Sequence, residues 1–210
     1  SPRVTPSRTP TPSPTPTCGP SIAPQREVIQ SGDYDGDAAA DPAIFRPTGG
    51  LWSIRGITRL YFGNSTDQTA PGDYDGDGTA DIAVYRAATG LWSIAGLSRA
   101  YFGGLSDRAV PADYDGDGSC DVGIFRENGG IWSIRFLTRF YFGATGDWPI
   151  PGDYTGDGTA EGGLYRVSSG QWLIYGLTRF YFGSSSDWPV PGNYAGAGSR
   201  SFGLFRPCSG

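Results

Sequence analysis

Short apolar stretches alternate with polar turns along most of the chain. In one forty-residue stretch they cover 82–86, 91–94 and 98–102, and Gly, Pro or Asp residues bound them. Runs of four or five residues rich in β-branched and aromatic side chains, set between turn residues, predict β-strands. No segment keeps a helical apolar period for three turns. The pattern therefore predicts an all-β fold.

The strand pattern recurs every forty residues. Acidic loops begin at residues 33, 73, 113, 153 and 193, and an apolar segment ending in Arg follows each loop. The first four units continue through a Trp segment to Tyr-Phe-Gly, and a further strand, 190–194 in the last unit, leads into each loop. A period of about forty residues with four strands per unit is typical of propeller blades. We therefore predict a five-bladed β-propeller whose large aromatic side chains pack between the blades.

The fifth unit reaches Gly210 after its second strand, so its blade needs strands from elsewhere. We predict that N-terminal and C-terminal segments close this last blade, with 17–23 as a candidate outer strand. The third strand of the blade has no evident source in the repeats. Cys18 and Cys208 flank this seam and are predicted to form a disulfide, with two free or intermolecular thiols as the alternative. Cys120 aligns with Ala80 and is predicted to be a small buried thiol.

Residues 1–17 form a low-complexity Pro/Thr/Ser segment. Such a composition does not fold alone and favours extended polyproline II, as in linkers or O-glycosylated stalks. The sequence thus predicts two regions, an extended tail over 1–17 and a propeller over 18–210.

Each acidic loop places oxygen ligands at regular positions. In the second loop, carboxylates stand at positions one, three, five and nine, Gly78 stands at position six, and the carbonyl of position seven offers another oxygen. Calcium takes six to eight oxygen ligands, and glycine permits the sharp bend. The predicted ligands of the three strong sites are Asp33, Asp35, Asp37, Ala39 and Asp41; Asp73, Asp75, Asp77, Thr79 and Asp81; and Asp113, Asp115, Asp117, Ser119 and Asp121.

The last two loops depart from this pattern. The fourth has Thr155 at position three, so we predict a weaker calcium site there, formed by Asp153, Asp157, Thr159 and Glu161. The fifth keeps only Asn193 among the side-chain ligands and places Arg200 beside it, so no metal is expected there. The alternative is that the aspartates are only turn residues. A purely structural role for the calcium is the favoured interpretation.

The D-x-D-G-D-G-x-x-D loops, with Phe-Gly about ten residues upstream of the next loop, resemble FG-GAP or VCBS repeats. Integrin α-subunit propellers and many bacterial secreted proteins carry such repeats. The resemblance covers 27–210 and implies a propeller, commonly of seven blades, with calcium at the aspartates named above. The family spans adhesion, glycan binding and structural roles.

Charge and composition narrow the function. The formal net charge is −5, without the basic face that nucleic acid binding requires. The chain has no His and no Lys, and its carboxylates are committed to loops and turns, so we do not expect an enzyme. It has no Met and no apolar run long enough for a membrane span, so we expect a processed protein, secreted or at the cell surface.

Two functions remain open from the sequence. One is a self-assembling surface or filament subunit, a homo-oligomer or homopolymer in which the tail docks on the unfinished blade of the next copy. The other is a lectin-like adhesin that binds glycans through Trp148, Trp188 and a repeated Arg. This Arg recurs at 59, 99, 139 and 179, and is predicted either to pair with the recurrent Asp67, Asp107, Asp147 and Asp187 or to cover aromatic faces.

Overall fold

The computed structural model describes residues 28–37, 39–192 and 199–206. All of their regular secondary structure is β-strand, which confirms the predicted all-β class. The strands form four four-stranded sheets, each a simple antiparallel meander, and one two-stranded sheet. The four complete sheets are the blades of a β-propeller.

The strands of each sheet follow one another along the chain. The first blade contains β1 (Val28–Gly32), β2 (Asp41–Arg46), β3 (Leu51–Ile54) and β4 (Thr58–Tyr61). The second contains β5 (Gln68–Thr69), β6 (Ala83–Arg86), β7 (Leu91–Ile94) and β8 (Ser98–Tyr101). The third contains β9 (Asp107–Ala109), β10 (Gly123–Arg126), β11 (Ile131–Ile134) and β12 (Thr138–Tyr141). The fourth contains β13 (Asp147–Pro149), β14 (Gly163–Arg166), β15 (Gln171–Ile174) and β16 (Thr178–Tyr181). The fifth sheet contains β17 (Trp188–Pro189) and β18 (Leu204–Phe205).

The prediction of five complete blades is wrong. Among the described residues the fifth unit supplies only β17 and β18. The first strand of that unit, predicted over 190–194, is observed as β17 at Trp188–Pro189, and 193 and 194 lie outside the described residues. The proposed closing strand 17–23, the tail 1–17, Cys18 and Cys208 lie outside the described residues.

The core lies between neighbouring blades, as predicted. In the first blade, Phe45 and Trp52 are fully buried, with ring centroids 5.1 Å apart, and they pack with Val84 of the second blade. The Trp52 indole N–H donates to the carbonyl of Phe62 at 3.1 Å. The same arrangement recurs around Trp92, Trp132 and Trp172. Each buried indole thus fills space and also satisfies its one polar group.

Buried aspartates tie the first strand of a blade to the second. Asp107 accepts two hydrogen bonds from the Arg126 guanidinium, at 2.7 and 2.9 Å, and a third from the amide of Gly104 at 2.8 Å. The predicted pairing of these acids with the Arg59 series is wrong, because the partner is the arginine that ends the second strand. The pairs are Asp67–Arg86, Asp107–Arg126, Asp147–Arg166 and Asp187–Arg206.

Cys120 is partly exposed overall, but its thiol lies against Gly72 of the preceding blade, where a Cβ would collide with Sγ. Burial, followed by the charge of Asp121, raises the pKa of the thiol to about 12. The thiol is therefore protonated at neutral pH, in keeping with the predicted structural role.

No helix within the described residues is long and apolar enough to cross a membrane.

Candidate metal centres

Each acidic loop connects the first strand of a blade to the second. In the second blade an isolated bridge closes the loop: the Asp81 amide donates to the Gly72 carbonyl at 2.7 Å, and the Gly72 amide donates back at 3.3 Å. The third, fourth and fifth units have the equivalent bridge. Position nine is thereby held opposite the residue that precedes position one.

The carboxylate at position one organises the turn. Asp73 Oδ1 accepts the amide of Gly76 at 2.7 Å, and its Oδ2 accepts the amide of Gly78 at 2.8 Å. Both glycines have positive φ, 74° and 90°, which other residues rarely adopt. In this loop, glycine at positions four and six lets the backbone curl around the carboxylate, whereas the first loop has Ala38, which lies outside the described residues, at position six.

The carboxylate at position nine approaches the loop from the second strand. Asp81 Oδ2 accepts the amide of Tyr74 at 2.9 Å, and this bond lowers its pKa. Burial, together with the charges of Asp75, Asp73 and Asp77, outweighs this effect and leaves the pKa of Asp81 raised. The pKa of Asp121 is raised for the same reasons in the third loop. This carboxylate thus lies in a field of negative charge that a cation would relieve.

The carboxylate at position five stabilises the turn that follows it. Asp77 Oδ1 accepts the hydroxyl of Thr79 at 2.5 Å and its amide at 2.8 Å, and these bonds lower the pKa of Asp77. Asp117 and Asp157 have the same pattern with Ser119 and Thr159. In the first loop, Ala39 donates only its amide, at 2.8 Å to Asp37. The predicted carbonyl ligands at position seven stay a prediction.

Three carboxylates converge in each of the first four loops. One oxygen from each residue lies within 4.8 Å of the others. Two ligands on opposite sides of a calcium ion, at 2.3 to 2.6 Å each, are about that far apart. The converging sets are Asp33, Asp35 and Asp37; Asp73, Asp75 and Asp81; Asp113, Asp115 and Asp121; and Asp153, Asp157 and Glu161.

In each of the first three loops, the structure therefore brings together three of the four predicted carboxylates. In the first loop Asp41 stands outside the converging set and accepts the amide of Tyr34 at 2.9 Å. In the second and third loops position five stands outside it, bonded within its own turn. A bound cation would need these remaining side chains to rotate, or would take backbone and water oxygens instead.

The fourth loop substitutes a hydroxyl for a carboxylate. Thr155 Oγ1 donates to Glu161 Oε1 at 3.2 Å and lies 3.3 Å from Asp153 Oδ1. Its set keeps three negative side chains because Asp157 takes part. In the fifth loop Asn193 lies outside the described residues. Arg200, at position eight, lies with its stem across Gly152 of the fourth blade.

Backbone hydrogen bonds connect successive loops, a feature that the sequence analysis missed. The amide at position eight of one loop donates to the carbonyl at position one of the preceding loop. The bonds are Ala80 to Asp33 at 2.5 Å, Cys120 to Asp73 at 2.5 Å, Ala160 to Asp113 at 2.7 Å and Arg200 to Asp153 at 2.5 Å. These bonds join main-chain groups, so the side chains in the sequence gave no direct signal of them.

The loops surround an open cavity of about 380 Å³, lined by residues of the first, third, fourth and fifth units.

The tyrosine at position two was also missed. Tyr74 donates its hydroxyl to the carbonyl of Ala70 at 2.7 Å, and Tyr114 and Tyr154 do the same with Val110 and Ile150. The signal was present, since the acidic loops repeat Asp-Tyr. The Tyr34 hydroxyl, by contrast, is buried with no hydrogen-bond partner among the described residues.

The predicted glycan-binding residues are only partly assembled. The Trp148 and Trp188 rings are exposed and lie 6.5 Å apart on neighbouring first strands. The recurrent arginines lie on the outermost strand of each complete blade, where Arg59, for example, pairs with Ser53 across β3 and β4. The strand order places them three strands away from the tryptophans.

Comparison of the chain with protein-family models, with curated proteins and with solved structures finds no match. The acidic clusters themselves are therefore the basis for any assignment. Their geometry allows each of the four loops to bind a metal ion.

Proposed function

We propose that this protein is a secreted, calcium-stabilised β-propeller of the FG-GAP/VCBS type that self-assembles as a structural subunit of a surface or filament. Calcium is the cation that best fits the donor set. The converging ligands are carboxylates, and the chain has no His. Zinc prefers nitrogen and sulfur ligands, and magnesium demands a stricter octahedron at shorter distances.

Calcium would act mainly on the fold. In the second, third and fourth loops, one ion would neutralise carboxylates that come together from the two ends of the loop, and so would tie the first strand to the second. Three divalent ions would change the formal charge from −5 to +1 and remove much of the repulsion among the loops. Because successive loops are hydrogen-bonded, each ion would also support the next blade.

One observation carries the assembly proposal: among the described residues the fifth sheet has only two strands. Phe205 is 53% exposed, whereas the equivalent Phe45, Tyr85, Phe125 and Tyr165 are fully buried. The edge of β18 has no strand beside it among the described residues. An open strand edge with exposed apolar side chains is a site at which another chain can add a strand.

The proposed occupant of this edge is a second copy. In this proposal the Pro/Thr tail of one copy docks on the fifth sheet of the next, and the fifth blade is completed between molecules. The result is a homopolymer in which calcium keeps each propeller rigid.

Sedimentation of the full chain tests the proposal. In calcium, the protein should form species that grow with concentration, and removal of residues 1–17 should leave monomers with an unchanged melting temperature. A full chain that stays monomeric at every concentration in calcium would contradict self-assembly.

The second candidate is a lectin-like adhesin, which the exposed Trp148–Trp188 pair favours. Aromatic faces of this kind can stack on sugar rings. If the monomeric protein is retained on glycan columns and Trp188→Ala abolishes the retention, this second function replaces the first.

A further inference from the structure

The hairpins formed by the third and fourth strands of the complete blades contain arginine but no acidic residue. They cover 51–61, 91–101, 131–141 and 171–181. The formal net charge of the chain is −5, so these positive segments stand against the overall balance. Their arginines are Arg55, Arg59, Arg99, Arg135, Arg139 and Arg179. Positive charge is therefore concentrated on one recurring element of the fold.

These hairpin arginines differ from the arginines inside the blades. Arg86, Arg126 and Arg166 end second strands, and each pairs with a buried aspartate. Within the described residues, no hairpin arginine forms an ion pair with an acid. Arg139, for example, donates to the neutral hydroxyl of Ser133 at 3.2 Å. The hairpin charges are thus available to an anionic partner.

The tip of each hairpin, the turn at 55–57, 95–97, 135–137 or 175–177, exposes an aliphatic side chain. The same position holds Ile57, Leu97, Leu137 and Leu177, which are 37 to 52% exposed. Single exposed apolar residues are common on protein surfaces. Here one position is apolar and exposed in every complete blade, so the tips form a recurring apolar feature beside the arginines.

Phe136 adds a larger apolar group to the third tip. It has a φ of 65° and is the only residue other than glycine with positive φ in the described part of the chain. The other three tips have Gly56, Gly96 and Gly176 at this position. A bulky residue in this conformation is strained, so the fold alone would favour glycine. The Phe136 ring is nevertheless 91% exposed, with the Arg135 guanidinium 4.2 Å from its centroid, which indicates a contact outside the propeller.

All four tips lie at the same end of the propeller as the acidic loops. The Ala95 amide donates to the carbonyl of Ile82 at 2.8 Å, directly after position nine of the second loop. The equivalent bonds in the other blades join Arg55 to Pro42, Arg135 to Val122 and Tyr175 to Gly162. The loops surround the open cavity, and the strand order places the tips outside the loops. The tips therefore form an arc around one end of the molecule.

We propose that this end of the propeller docks on an anionic lipid bilayer. The hairpin arginines contact the headgroup phosphates, and Phe136 and the aliphatic tips enter the boundary between headgroups and acyl chains. A bilayer matches both the charge and the apolar tips, whereas an acidic polysaccharide would engage the arginines and leave the tips in water. Docking goes beyond self-assembly and does not require it. It rests on the proposed calcium sites in one respect, because bound ions would remove the repulsion between the acidic loops and the headgroups.

Flotation of the full chain with vesicles in calcium tests the docking, because protein filaments without lipid do not float. Vesicles of phosphatidylcholine and phosphatidylglycerol should carry the protein upward, vesicles of phosphatidylcholine alone should not, and added salt should reduce the effect. Phe136→Gly should bind the anionic vesicles about tenfold more weakly, with a melting temperature equal to or above that of the wild type. The matched control Leu105→Ser removes an exposed apolar side chain from the turn between β8 and β9, at the opposite end of the blades, and should bind unchanged.

A second pair of variants tests the charge. Arg99→Gln combined with Arg179→Gln should weaken binding to anionic vesicles, whereas Arg108→Gln, at the start of β9 and so at the opposite end, should not. Calorimetry measures calcium binding separately, so a failure of the metal sites is not mistaken for a failure of docking. If the protein binds calcium but does not float, or if Phe136→Gly floats as the wild type does, the docking is wrong while the proposed function stands. Retention on an acidic polysaccharide column without flotation would likewise overturn it.

Discussion

At the scale of single residues, aspartate has two separate roles in this chain. Asp187 and its equivalents are buried and paired with an arginine, whereas the loop aspartates are clustered with one another. The sequence predicted that the recurrent turn acids are structural, but it gave the wrong partner. Asp187 and Arg206 are 19 residues apart, and only the pairing of β17 with β18 brings them together.

The Asp187–Arg206 pair predicts an acid-dependent loss of stability. The hydrogen bonds from Arg206 hold the pKa of Asp187 at about 2, below its ordinary 3.8. A depressed pKa stabilises the fold above the unfolded-state value, and the stabilisation is lost as the pH falls through the folded-state value. The window is therefore from about pH 4 to about pH 2.

Melting curves of the wild type and Asp187→Asn, both in EDTA, measure this effect. The wild type should be the more stable protein at pH 5, and the difference in melting temperature should shrink as the pH approaches 2. A difference that stays constant over this range would show that the pair does not titrate as described.

At the scale of strands, the third strand is the element that completes a blade. Trp132 is fully buried, lies between Phe125 and Phe140 at centroid distances of 5.2 and 5.6 Å, and donates to the carbonyl of Phe142 at 3.0 Å. Where the described chain lacks this strand, in the fifth sheet, the second-strand aromatic residue is exposed.

Truncation of Trp132 should therefore be costly. We expect Trp132→Ala to lower the free energy of unfolding by about 4 kcal/mol, since it leaves a large cavity between two blades. The control Tyr141→Ala removes an exposed aromatic from the outer strand of the same blade and should change the free energy by about 0.5 kcal/mol or less. Urea unfolding measures both, and equal losses would contradict the described packing.

The second, third and fourth strands of each complete blade were predictable, and the completion of the ring was not. Ala83–Arg86, Leu91–Ile94 and Ser98–Tyr101 follow from local patterns, because alternating side chains and bounding turns specify a strand without reference to the rest of the chain. The number of complete blades was not predictable in this way, because the forty-residue repeat suggested five units whereas the described part of the fifth unit forms only two strands.

In the acidic loops, too, part of the structure was predictable from the sequence and part was not. The glycines and the position-one aspartates fix the turn locally, so the sequence located the clusters correctly. Which three carboxylates converge differs between loops: Asp77 and Asp117 stand outside their clusters, whereas Asp157, which accepts the same kind of hydroxyl bond, takes part. The loop sequences alone therefore did not predict the converging set.

At the scale of the whole molecule, the loops form a connected series. Each complete loop accepts a backbone hydrogen bond from the next, so the geometry of one candidate site depends on its neighbour. A cation at any loop would therefore stabilise more than its own blade, and its removal should weaken the propeller as a unit.

The central claim is that calcium in the acidic loops holds this propeller together. Calcium titration calorimetry, followed by melting of the same sample with and without EDTA, tests it most directly. We predict three strong sites and a weaker fourth, and a melting temperature that falls by many degrees when EDTA removes the ions. A protein that binds no calcium and melts at the same temperature in EDTA would contradict the claim.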